Sequence, residues 1–248
     1  RQVSNLRTIP LPNGHPTSPK EVALEVIYRV LKTGRNTKDW DSFTLNPDAP
    51  DLSLDLLSTL IAPYRIQIRS NGVNKGRLFD SLEPQTKVDG SDDIGFRCET
   101  KIRGINHVFF VVKEEQQYKL LLRGKQLRTL VSRARELAAN GNHAGAVKWL
   151  EWIMNEIPDG EILYPESFSP AKAIWNSSRT KSPEFVDRVL NVLHSDVTSE
   201  NVIEEFKNWI ANEKSKTKKT YYHRALIENL FELNPTRFAQ EAEEFLKD

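Results

Sequence analysis

Hydrophobic positions change their spacing once along this chain, near Gly124. Residues 64–124 alternate apolar and polar, the period of strands. From Gln126 onward apolar residues recur every three or four positions, the period of helices. One switch of period predicts an α+β chain: a sheet-bearing unit with N-terminal helices, then an all-α region of helical hairpins.

The first helix is announced by Ser18-Pro19-Lys20-Glu21, in which Ser18 caps, Pro19 suits the first turn and Glu21 completes a capping box. Val22, Val26, Ile27, Val30 and Leu31 share its apolar face, and Gly34 stops it. Leu56, Leu57, Leu60 and Ile61 predict a second helix from about Leu52 to Ile61, ended by Pro63. Tyr64, Ile66 and Ile68 then alternate with Arg65, Gln67 and Arg69, which predicts a strand closed by the turn Asn71-Gly72. Leu78 and Phe79 suggest a short strand, and residues 83–93 a polar connection. Ile94 to Arg103 alternates cleanly. Val108 to Val112 is a continuous apolar run fit for a central strand, and Tyr118 to Leu122 forms the last one. The expected sheet is a curved antiparallel meander. Beyond Gly124 the pattern gives about seven helices, separated by Asn140-Gly141-Asn142, Pro158, Ser182-Pro183, a basic loop from Lys214 to Lys219, and Asn234-Pro235.

Length and composition permit two modest cores: 248 residues, 38% hydrophobic and 28% charged. The formal net charge is +1, so no global field holds the chain on nucleic acid or an anionic membrane, and such binding needs a local patch. Cys98 is the sole cysteine, which excludes an intrachain disulfide and a cysteine-rich zinc site. Its place among Ile94, Phe96, Thr100 and Ile102 reads as a small core hydrophobe. No apolar stretch has the length of a membrane span. The opening residues carry Pro10, Pro12, Asn13, Gly14 and Pro16 and begin with Arg1, the look of a linker from an upstream segment. The organisation expected is thus a linker over 1–17, an α+β domain over 18–124 and an all-α domain over 125–248.

Two family resemblances sit on these patterns. Residues Ala134 to Leu150, with Gly141 in the turn and Ala146 and Trp149 beyond it, resemble a tetratricopeptide-type helical hairpin. Together with Trp149-Leu150-Glu151-Trp152 and Trp175, they resemble the helical segments of large multidomain bacterial proteins that join a transglutaminase-like domain to such repeats. The front part, roughly 18–124, resembles the cone-shaped fold of the nuclear-transport-factor and SnoaL-like group. Its late hairpin runs Val108-Phe-Phe-Val-Val112, then Lys113 to Gln117, then Tyr118-Lys119-Leu120. The first resemblance implies protein binding. The second implies an enzyme, a small-ligand binder or a dimerisation module, and a fold does not choose among these.

Candidate chemistry is sparse. Glu99-Thr100-Lys101, with Asp80, Asp89, Asp92 or Asp93 upstream, resembles the PD-(D/E)xK arrangement of metal-dependent nucleases. Residues two apart on a strand share a face, so Glu99 could hold Mg²⁺ beside Lys101. The plainer reading is a solvated strand face, because Arg97, Glu99, Lys101 and Arg103 all lie opposite the apolar side. Asp89 to Asp93 lacks the spacing of a calcium loop, and the five histidines are scattered. No GxSxG, Walker or GxGxxG motif occurs. Lys214, Lys216, Lys218 and Lys219, followed by Tyr221, Tyr222, His223 and Arg224, make the densest basic patch; with its aromatics it could grip a single strand, while an exposed interhelical loop is the commoner use. Trp149, Trp152, Trp175 and Trp209 could line a groove or pack a core.

The reading that follows is a non-catalytic protein-interaction or scaffold segment of a larger polypeptide. No cofactor or metal is expected, and the partner is a protein or a neighbouring domain rather than a membrane or nucleic acid. Candidate binding residues are Trp149, Trp152, Trp175, Lys216, Lys218, Lys219 and Tyr222. A pocket in the cone and the nuclease set Asp80, Asp93, Glu99 and Lys101 are the alternatives. Export to a periplasm and residence in the cytoplasm are both open.

Overall fold

The computed structural model describes residues 15–33, 40, 42–49, 51–71, 74–124, 127–156, 168–194, 200–212, 214, 216, 219, 220, 223, 226, 227, 230 and 235–245. Its contacts fall into two compact units, Arg1–Leu130 with Glu151–Leu163, and Val131–Leu150 with Tyr164–Asp248.

The first unit begins with α1 (Pro19–Thr33). The Ser18 half of the expected capping box forms, with Ser18 Oγ accepting from Glu21 N at 3.2 Å, whereas the Glu21 carboxylate reaches one residue past the cap and accepts from Thr17 N at 2.6 Å. Next come α2 (Leu52–Asn71) and α3 (Lys75–Leu82), then β1 (Thr86–Ser91), β2 (Gly95–Ile102), β3 (Ile105–Glu114) and β4 (Gln117–Leu121). The strands form one antiparallel sheet in the order β1-β2-β3-β4. This is an α+β fold with a four-stranded meander behind N-terminal helices, as the change of period implies.

Three expectations over residues 63–93 are corrected. Pro63 does not end the second helix but lies inside it, so Tyr64 to Arg69 are helical rather than extended. The helical seam explains this: Leu54, Leu57 and Ile61 are buried, and Tyr64 continues the same spacing. Leu78 and Phe79 belong to α3, started by Asn74, whose side chain accepts from Arg77 N. The polar connection over 83–93 contains β1, a strand that only its pairing with β2 reveals.

One face of the sheet carries Phe96, Cys98, Ile102, Phe109, Val111, Leu120 and Leu122, and α1 lies over it, packed against α2. Trp40 and Phe43 enter the same layer from the loop before α2, edge to face with ring centroids 5.8 Å apart. The second face carries Val108, Phe110, Val112 and Leu121, all buried.

The second unit contains most of α4 (Arg128–Ala139) and α5 (His143–Glu151), then α6 (Phe168–Ser177), α7 (Pro183–His194), α8 (Glu200–Asn212) and α9 (Pro235–Phe245). The turn at Gly141 is a Schellman motif. Asn142 N donates to Leu137 O and Gly141 N to Ala138 O, with Gly141 at φ 77°, where a side chain would be strained. Asn142 then caps α5 by accepting from Gly145 N at 2.9 Å. Lys216 and Lys219 are helical, which corrects the expectation of a basic loop there. Residues 1–14 of the expected linker, Lys218, Tyr222 and the side chain of Trp209 lie outside the described residues.

Candidate functional site

The polar row predicted on β2 lies on the second face of the sheet. Arg97 Nη2 sits 2.8 Å from Glu99 Oε2, and both side chains are largely covered. Across the strand, Asp89 opposes Arg97 and Lys87 opposes Glu99. The Asp89 carboxylate accepts the indole N–H of Trp152 at 3.0 Å, and the Trp152 ring lies 6.4 Å from that of Phe110. Trp152 reaches this place because α5 runs into one turn of π-helix, Trp152–Glu156, within the segment that belongs to the sheet unit. Arg123 closes the far side. It is buried, its guanidinium donates to Val108 O, and it stands 5.9 Å from the Phe110 ring centre.

The nuclease set is not brought together. Asp80 is exposed on α3, a helix packed on the opposite face of the sheet. Asp93 is in the β1–β2 turn, beyond Gly95, the start of β2, which itself lies about 13 Å along the strand from Glu99 at ~3.3 Å per residue. Lys101 is exposed. Asp92, next to Asp93, accepts from Lys113 Nζ at 2.6 Å and from Tyr118 Oη at 2.9 Å. Those bonds, the lysine's first, hold its pKa below the ordinary 3.8. The same contact raises Lys113, while burial and then the Asp92 bond raise Tyr118. Among the described residues no three His, Cys, Asp or Glu side chains gather in a way that could hold a metal ion. Cys98 is buried with its thiol toward Pro19 O, and burial pushes its pKa up to about 12, so it behaves as a core residue.

Of the predicted binding residues, Trp149 and Trp152 are 0% exposed and Trp175 is 2% exposed. Their rings are core. Trp175 lies 6.2 Å from Phe185, and Lys181 Nζ sits 4.0 Å from the Trp175 ring centre. The same ammonium donates to Ser178 O at 2.6 Å and to Trp175 O, two carbonyls at the end of α6. His143 Nε2 lies 2.5 Å from Lys181 O and ties this loop to the start of α5. Lys181 and the Trp152–Asp89 bond escape a linear reading, because Lys181 lies in the turn between α6 and α7, outside the hydrophobic period, and Asp89 lies 63 residues from Trp152. Lys214 and Lys216 are exposed and Lys219 is half-buried.

Among the described residues two buried carboxylates, Glu25 and Glu241, lie elsewhere. Glu25 is held by Arg29 at 2.9 Å and Lys75 at 2.5 Å, and Glu241 by Lys207 at 3.1 Å and Arg237 at 3.5 Å. Each is a buried charge surrounded by cations, the arrangement that keeps it tolerable inside a protein. Among the described residues no helix is long and apolar enough to cross a membrane. No family model, no curated protein and no solved structure matches the chain.

Proposed function

We propose that the chain is a non-catalytic interaction or scaffold unit. The observation that carries this reading is how its charged side chains are employed. Glu99 is held by Arg97, Asp89 by Trp152, and Asp92 by Lys113 and Tyr118. A catalytic carboxylate faces substrate space with its proton affinity tuned for transfer. The layer under the sheet is likewise filled, by Trp40, Phe43, Ile27, Leu57 and Leu120, all nearly inaccessible.

The helical unit supports the same reading. Buried Ala134 and Ala146 flank the Gly141 turn, in keeping with a tetratricopeptide-like hairpin, and stacked hairpins present extended surfaces to partners. Exposed Lys214 and Lys216, with Lys219, form a local positive patch that suits an acidic protein segment.

In-cell crosslinking tests the proposal, with the wild type and a Lys214→Glu/Lys216→Glu/Lys219→Glu variant as baits. One protein with an acidic segment, enriched by the wild type and lost with the variant, is the expected result. Cleavage of nucleic acid by the wild type in Mg²⁺ or Mn²⁺, abolished in Glu99→Gln, overturns it.

A further inference from the structure

The two edges of the sheet are treated differently. The outer edge of β4 is closed. Leu45 N donates to Leu120 O and Leu120 N to Phe43 O, each at 2.9 Å. The Asn46 side-chain amide then bonds both Leu122 N and Leu122 O at 2.9 Å, and Asp51 accepts from Arg123 N. The loop before α2 thus acts as a short extra strand. Among the described residues the outer edge of β1 has no such backbone cover: Lys87, Val88, Asp89, Gly90 and Ser91 are all exposed, Val88 at 40%, while one Asp89 carboxylate oxygen accepts from the Trp152 indole. An uncovered edge strand is a template for another strand.

We propose that β1 pairs antiparallel with β1 of a second copy of this chain, joining two four-stranded sheets across a two-fold axis at Val88. The occupant follows from charge complementarity. With the axis at Val88, Lys87 lies opposite Asp89 of the second copy, and Asp89 opposite its Lys87. The pattern extends beyond the edge, because Lys87 already opposes Glu99 and Asp89 opposes Arg97 within each chain. Each row across the junction then alternates in sign: Arg97, Asp89, Lys87, Glu99. On the opposite face the two exposed Val88 side chains cover each other.

Register is fixed by the same charges. Matching faces allow shifts only by two residues, since side chains alternate with period two. A shift one way sets Lys87 against Lys87, and the other way Asp89 against Asp89. Like charges directly opposite are disfavoured, so the arrangement centred on Val88 is selected. The interface is isologous and closes as a dimer. This inference goes beyond the proposed interaction role and stands independently of the basic patch.

Sedimentation equilibrium of the full chain up to about 1 mM tests it. The wild type is expected to dimerise. Lys87→Asp and Asp89→Lys alone are each expected to weaken self-association roughly tenfold or more. Mixed one to one, they restore the dimer, because each then meets the opposite charges. Circular dichroism checks that both variants are folded, Asp89→Lys above all because it removes the acceptor of the Trp152 indole, and the mixture provides the readout that a folding defect could not mimic. A wild type that stays monomeric, or a mixture no more associated than its components, overturns the proposal.

Discussion

Asp92 shows how one side chain ties two turns of the sheet together. It sits in the β1–β2 turn, whereas its partners Lys113 and Tyr118 flank the β3–β4 turn. Tyr118 also meets Phe96 edge to face at 5.9 Å, so the polar contact caps a small apolar one. The Asp92 pKa is depressed in the folded state, which sets the sign of its pH dependence. Its contribution is full above about pH 5 and disappears as pH falls through the native value below 3.8. Lys113 is the mirror case: raised from 10.5, its share is present below that pH and lost above it. Asp92→Asn is therefore expected to lower the urea midpoint near neutrality, with the variant and wild-type curves converging as acid is added. Curves that stay parallel down to the acid limb would show that Asp92 carries none of the dependence. Because both groups lie at the surface, added salt should narrow the gap.

At the scale of elements, α2 carries the least expected feature, a proline eleven residues into a helix. Proline removes one helical bond and crowds the preceding turn, a cost of about 3 kcal/mol, and it restricts the unfolded chain, which returns about 1 kcal/mol. The burial of Leu54, Leu57 and Ile61 holds the helix on the core despite that cost. Pro63 is itself exposed, so replacing it removes no core contact. Pro63→Ala is expected to stabilise the chain by about 1–2 kcal/mol, read as a higher urea midpoint with an unchanged slope. An unchanged midpoint would mean that the helix is already relaxed around the ring. This element also shows why part of the fold was legible and part was not. Strands β2, β3 and β4 are readable because each is half-buried or wholly apolar over several residues. Tyr64 to Arg69 mimics that alternation over six residues, and only the continued 3.6-residue seam from Leu57 through Tyr64 resolves it. Strand β1 is unreadable for the opposite reason. Beyond Thr86 it is exposed throughout, so its sequence has no buried face to reveal and its conformation comes from pairing with β2.

At the scale of the whole molecule, the switch of period at Gly124 marks where strands give way to helices but does not show that the chain comes back. Trp149 and Trp152 are three residues apart and both fully buried, yet Trp149 belongs to the helical unit and Trp152 to the sheet unit. Both keep helical spacing with their neighbours, so periodicity assigns them to one helix face, and the distinction appears only when Trp152 meets Phe110 and Asp89. The two units therefore have separate aromatic anchors: Trp152 for the sheet, and Trp175 against Phe185 and Lys181 for the helices. Truncating either ring to alanine should cost about 3–5 kcal/mol, because each is a large buried side chain that leaves a cavity. The location of the damage is the more informative readout. Hydrogen exchange followed by mass spectrometry on the full chain is expected to show Trp152→Ala accelerating exchange in β1 to β4 while α6 and α7 keep their protection. Trp175→Ala is expected to do the reverse. If either substitution loosens both sets of elements equally, the chain unfolds as a single cooperative body, and the two anchors stabilise one structure rather than two.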